Sequence, residues 1–89
     1  MSDGDLALAG VLVHVRVDAV ARVSRRIGAL PGALVHATSP DGKLVVTLEA
    51  PSSRGVLTRL EQLRDMAGVL SVSLVYEHTE PSGQWESIS

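Results

Sequence analysis

The sequence predicts an α+β domain in which a four-stranded antiparallel sheet carries two helices on one face. Three observations lead to this prediction. Four stretches alternate apolar and polar residues as strands do, two stretches carry apolar residues at helical spacing, and they follow one another as strand, helix, strand, strand, helix, strand. That order places both helices on the same side of the sheet.

The composition limits the chain to one small domain. It has 89 residues, of which 45% are hydrophobic, a formal net charge of −2 and no cysteine. The absence of cysteine excludes thiolate metal sites and iron–sulfur clusters, and the acidic balance argues against nucleic acid or anionic lipid as a partner. We predict a domain at residues 9–78, after a flexible N-terminus at residues 1–8 and before a disordered polar tail at residues 79–89.

The first strand is predicted at residues 10–16, where valines alternate with other residues and form a core face. A helix follows, because its apolar residues recur at spacings of three and four. Asp18 is the expected N-cap, since a carboxylate accepts hydrogen bonds from the free N–H groups of a first turn. Pro31 and Gly32 are expected to end this helix. Its apolar stripe consists of Val20, Val23, Ile27 and Leu30.

The second and third strands are predicted at residues 33–38 and 43–50, joined as an antiparallel hairpin. The connection is Ser39-Pro40-Asp41-Gly42, in which proline presets the first central dihedral angle and glycine adopts the positive φ that follows.

The register of the second strand is open to two interpretations. A weak internal repeat between residues 30–34 and 66–70 places Leu34 and His36 on the core face. Composition instead turns Val35 inward, between two alanines, and we expect this second arrangement.

The second helix follows Pro51 and is predicted to be capped by Ser52 or Ser53 and closed by Gly68. Its apolar stripe is Val56, Leu57, Leu60, Leu63 and Ala67. The last strand is predicted at residues 69–77, with Leu70, Val72, Leu74 and Tyr76 on one face and Val69, Ser71, Ser73 and Val75 on the other. The complete order is that of a ferredoxin-like βαββαβ sandwich.

With both helices on one side, the other face of the sheet is predicted to be bare. Its side chains are small, mildly apolar and nearly uncharged, so another chain could cover this face. The alternation assigns to it Leu12, His14, Val45, Thr47, Glu49, Val69, Ser71, Ser73 and Val75.

Catalysis and cofactor binding find no support in the sequence. Serines, histidines and acids show no spacing that brings a nucleophile to a base. Acylphosphatase shares this topology, but it binds phosphate with an arginine and a glycine-rich loop after the first strand. Val17, Asp18 and Ala19 stand at that place here, so the phosphate site is missing. His14 and His36 are too few for a metal site. The strands that carry base-stacking aromatics in RNA-binding domains have none here. We expect no enzyme, cofactor, metal or nucleic acid.

No targeting segment is recognisable in the chain. Residues 1–5 are acidic, the reverse of a secretory signal, and the apolar run at residues 6–15 is about half of the roughly 20 residues that span a membrane. Arg25 and Arg26 lie within a helical pattern and are not interpreted as an export signal. We therefore expect a cytoplasmic protein that does not insert into the membrane.

Three segments resemble the NapD family: Leu30-Pro31-Gly32, residues 43–50 and, most specifically, residues 68–78 with the sequence GVLSVSLVYEH. The resemblance covers roughly residues 9–78. It implies an assembly chaperone that binds the twin-arginine signal peptide of NapA, the catalytic subunit of periplasmic nitrate reductase. Masking this signal would hold back export through the Tat pathway until the molybdenum cofactor is inserted.

The resemblance also implies that the peptide binds to the sheet face. The matching motifs supply Val45 and Thr47 from the third strand and Ser71, Ser73 and Val75 from the last strand. Leu12 and His14 follow from the alternation alone, and Glu49 and Glu77, at strand ends, could meet the arginines. Whether the peptide binds as a helix on the face or as an added edge strand is left open by the sequence.

A second hypothesis is a small-molecule-sensing regulatory domain of the ACT or Lrp type, which shares this topology. Such domains are normally attached to an enzyme or a DNA-binding domain and have a glycine-rich effector loop after the first strand. Neither feature is present in the sequence, so the chaperone is the favoured interpretation.

Overall fold

The computed structural model describes residues 5–81 and confirms the predicted architecture. Four strands form one antiparallel sheet in the spatial order β2-β3-β1-β4, and two α-helices connect them in the βαββαβ order. The strands are β1 (Asp5–Val15), β2 (Ala33–Thr38), β3 (Lys43–Ala50) and β4 (Val69–Pro81). The helices are α1 (Val20–Gly28), which a short 3-10 helix at Val17–Ala19 precedes, and α2 (Ser53–Arg64).

The core lies between the helices and one face of the sheet. Alternate residues of β1 and β3 point into it, because successive side chains of a strand lie on opposite faces. The predicted valine face of β1 is therefore confirmed, and it extends back through two alanines. The buried hydrophobic residues, each at most 2% exposed, are Ala7, Ala9, Val11, Val13, Val15, Ala19, Val23, Ile27, Leu44, Val46, Leu48, Val56, Leu60 and Leu63.

Helix α1 has the predicted apolar stripe but not the predicted cap. The Arg16 guanidinium donates to the Asp18 carboxylate, with Nε 3.3 Å from Oδ1, and Ala19 occupies the N-cap position without a side-chain hydrogen bond. The prediction that Asp18 caps the helix is wrong, because a cationic partner two residues away engages the carboxylate. The hydrogen bond and charge of Arg16 lower the pKa of Asp18 below its ordinary value. The helix ends at Gly28, three residues before Pro31.

Helix α2 begins as predicted, with the Ser52 hydroxyl accepting a hydrogen bond from the Gly55 N–H at 3.3 Å. Leu57, expected in the apolar stripe, is 56% exposed. One residue along a helix turns about 100°, so the neighbour of buried Val56 faces away from the core. Ala67 is also exposed, because the helix ends at Arg64.

The hairpin between β2 and β3 forms as predicted. The Gly42 N–H donates to the Ser39 carbonyl at 3.1 Å, and Gly42 has a φ of +96°. In β2, Val35 packs against the core while Leu34 and His36 are exposed, so the expected register is confirmed.

A bulge at Leu70 changes the phase of β4. Val15 pairs with Val69 and His14 with Ser71, which leaves Leu70 as an extra residue that is 59% exposed. Because residues paired across strands share a face, Val69 points toward the core and packs against it. The predictions that Val69 lies on the bare face and Leu70 on the core face are both wrong.

A second bulge at Val75 changes the phase again. Val11 pairs with Leu74 but Gly10 pairs with Tyr76, so Val75 is the extra residue. Tyr76 consequently shares the face of Gly10, away from the helices, where the alternation had placed it with Leu74 on the core side.

The same shift moves Glu77. It pairs with Ala9, a core residue, and therefore lies on the helix side of the sheet. Its predicted place on the bare face is wrong.

Both strands of the β1–β4 pair are longer than predicted, since β1 begins at Asp5 and β4 continues to Pro81. These residues lay in the expected N-terminal and tail segments. The remainder of those segments, residues 1–4 and 82–89, lies outside the described residues. Within residues 5–81, no helix is long and apolar enough to cross a membrane.

Two leucines of α2 that the sequence pattern treats alike should differ sharply on truncation. Leu63→Ala leaves a cavity in the core and should lower the free energy of unfolding by about 2–5 kcal/mol. Leu57→Ala removes an exposed side chain and should change it by less than about 0.5 kcal/mol. Urea denaturation followed by circular dichroism measures both. Equal losses would contradict the described packing of α2.

Candidate binding face of the sheet

No element of residues 5–81 covers the sheet surface opposite the helices, which we call the open face. The register of the strand pairs defines its members. They are Leu34, His36 and Ala37 from β2; Lys43, Val45, Thr47 and Glu49 from β3; Leu6, Leu8, Gly10, Leu12 and His14 from β1; and Ser71, Ser73, Val75, Tyr76 and His78 from β4. The sequence-predicted residues other than Val69 and Glu77 thus share one surface.

The centre of the open face is a shallow apolar depression of about 190 Å³. Val45 and Tyr76 are each 47% exposed here, and Val75 is 67% exposed. Exposed apolar side chains at the middle of a sheet are favourable contacts for a partner, since covering them removes apolar surface from water. The depression is lined by Gly10, Val11, Leu12, Val45, Val46, Thr47, Val75 and Tyr76.

Tyr76 owes its position to Gly10. Its ring lies over this glycine, and a Cβ atom built on Gly10 would overlap the ring carbons. A glycine inside a strand commonly marks such a close approach. The alternation of β4 gave no indication of Tyr76 on this face, but the glycine in the middle of β1 was an available signal.

Polar groups surround the depression. His36 Nε2 and Thr47 Oγ1 form a hydrogen bond of 2.7 Å between β2 and β3. His14 is half-buried on β1, and β3 separates it from the strand of His36, so these two histidines are not neighbours. Residues 5–81 contain no group of three or more side chains placed to hold a metal ion.

Most of the positive charge of the protein lies on its two helices. Helices α1 and α2 contain six arginines and one glutamate, a formal charge of +5, which leaves −7 for the rest of the chain. Glu49 lies on the open face, beside Leu8 in the register. A cationic ligand is therefore repelled by the helices over distances of about one Debye length, whereas on the open face the charges of Lys43 and Glu49 offset each other.

The fold and the open face define the class: a small ferredoxin-like domain with one uncovered sheet surface. The model of the NapD protein family matches residues 6–81. The chain is also 33% identical over 75 residues to the chaperone NapD of Escherichia coli K12, a match that covers 83% of this chain and 86% of that protein. This chain belongs to the NapD chaperone family.

Solved structures agree with this assignment. The solution structure of the E. coli Tat proofreading chaperone NapD superimposes with a TM-score of 0.78 at 30% identity, covering 94% of this chain and 86% of that chain. A transcriptional regulator of the AsnC family from Pyrococcus furiosus gives a TM-score of 0.63 at 17% identity, covering 85% of this chain and 51% of that chain. The second likeness shows a shared fold alone, which explains why regulatory domains were a rival interpretation.

The contact between Gly10 and Tyr76 predicts a specific coupling. Gly10→Ala should lower the free energy of unfolding by about 1–3 kcal/mol, because the new methyl group displaces the ring. In a Tyr76→Ala background the same substitution should cost less than about 0.5 kcal/mol. A double-mutant cycle in urea measures the coupling, and an equal cost in both backgrounds would show that the ring does not cover Gly10.

Proposed function

We propose that this protein is a cytoplasmic chaperone whose open face binds the twin-arginine signal peptide of NapA, the catalytic subunit of periplasmic nitrate reductase. The observation that carries the proposal is an uncovered, apolar-centred sheet face on a member of the NapD chaperone family. The name of the E. coli relative, a Tat proofreading chaperone, supports it. While bound, the signal would be withheld from the export machinery until the cofactor is inserted.

The apolar stretch of the peptide would supply most of the affinity. Ordering a disordered segment costs about 2–5 kcal/mol, and burying about 200 Å² of apolar surface offsets the upper value at roughly 25 cal/mol per Å². The apolar surface that the peptide would bury belongs to Leu12, Val45 and Val75, which line the depression. Thr47, with Ser71, Ser73 and His14, would give polar contacts around it.

The arginines would be oriented mainly by charge. Glu49 is an acid on the open face, whereas Glu77 lies on the other side of the sheet and drops out of the proposed contacts. Since the helices carry +5, a peptide with two adjacent arginines is repelled from the helix side. Release needs no reaction in this scheme, because the chaperone and the translocase compete for the same signal.

Titration calorimetry with a synthetic twin-arginine signal peptide tests the proposal. We expect a Kd in the micromolar range or tighter, and weaker binding when both arginines are replaced by glutamine. Absence of binding to either peptide would refute the proposed function and favour a screen of amino acids as effectors of a regulatory domain.

A charge placed in the depression should abolish the interaction. Val45→Asp sets a carboxylate against the apolar part of the peptide and should weaken binding at least about tenfold. The matched control is Leu57→Asp, which adds the same charge at an exposed leucine on the helix side and should leave the affinity within about twofold. If the two substitutions changed the affinity equally, the peptide would not bind on the open face.

A further inference from the structure

We infer that the ring of Tyr76 is the platform on which a guanidinium group of the bound signal peptide stacks, which makes Tyr76 the residue that distinguishes arginine from uncharged side chains. This inference rests on the proposed function and names the group that reads the peptide's defining feature. Three properties of the ring support it: its fixed position, its exposure and its place between an apolar region and an acid.

The position of the ring is fixed by what lies beneath it. One side of Tyr76 is seated on Gly10, where a side chain would overlap it. The bulge at Val75 sets the phase that brings the ring to this face. A planar guanidinium gains most from an aromatic partner that is already held in place, because little conformational freedom is then lost on binding.

The ring is also accessible. Tyr76 is 47% exposed, so the side turned away from Gly10 faces solvent. The electron-rich face of an aromatic ring attracts cations, and arginine is the most frequent side-chain partner. Tyr76 is the one aromatic residue in the part of the chain that the structure describes.

The neighbours of Tyr76 give the bound peptide a direction. Glu49, on β3, pairs with Leu8, which lies two residues along β1 from the glycine beneath the ring, so the backbone of this acid is about 7 Å along the strands and about 5 Å across them from Gly10. In the other direction along β1, Leu12 pairs with Val45. A guanidinium on the ring therefore has an acid to one side, while the apolar stretch of the same peptide extends over the depression.

The experiment combines substitutions in the protein and in the peptide. Affinities of the wild type, Tyr76→Leu, Tyr76→Phe and Val75→Ala are measured by calorimetry for the twin-arginine peptide and for its double glutamine version. In Tyr76→Leu, the ratio of the two affinities should fall by about 3- to 10-fold. Tyr76→Phe should keep the wild-type ratio, because the ring face remains.

Val75→Ala is the matched control, since it truncates the adjacent side chain of the same depression. It should weaken both peptides by the same factor. If Tyr76→Leu also weakens both equally, or leaves both unchanged, the ring does not recognise guanidinium and the inference is overturned, although the proposed function stands. If the wild type binds neither peptide, the proposed function fails and the inference fails with it. Thermal unfolding of each variant confirms that the fold is retained.

Discussion

The burial of every second residue of β1 beneath the two helices is the interaction on which the rest of the structure depends. From Ala7 to Val15 these side chains are at most 2% exposed. The strand is central in the sheet, and two of its residues are alanines, so the core is narrow at one end and filled by valines at the other. Because both helices lie on that side of the sheet, no element of residues 5–81 covers the other face of β1. The alternation of side chains along β1 therefore determines both the core and the open face.

Most of the fold could be predicted from the sequence. The bounds of β2 and β3 were predicted to the residue, because prolines and glycines mark their ends and a Ser-Pro-Asp-Gly turn joins them. The wrong face assignments in the sheet share one cause. In β4 the alternation within the strand was followed, whereas the faces are set by pairing with β1 through two bulges. Pairing between distant segments is not written in local periodicity, so Val69, Tyr76 and Glu77 were assigned to the wrong sides.

In the candidate site, too, residues on regularly paired strands were predicted correctly, and the errors lie on β4, which contains the bulges. Residues on β1 and β3, strands whose mutual pairing is regular, were placed correctly on the open face from their alternation, as Leu12 and Val45 illustrate. Tyr76 was missed because its place depends on a bulge and on the absence of a side chain at Gly10. The charge of +5 on the helices, by contrast, could be counted from the predicted helical segments, although the net charge of −2 does not reveal it.

The bulges of β4 also bear on how the protein avoids aggregation. β4 is an edge strand of 13 residues, and a flat strand of that length is a template on which other chains add and aggregate. The irregularities at Leu70 and Val75 divide β4 into shorter regular runs, of which Ser71–Leu74 has four residues and Tyr76–Pro81 has six. The opposite edge, β2, is short and has its own irregularity at His36. A protein with an exposed apolar sheet face thus has edges whose irregularities hinder the addition of a second sheet.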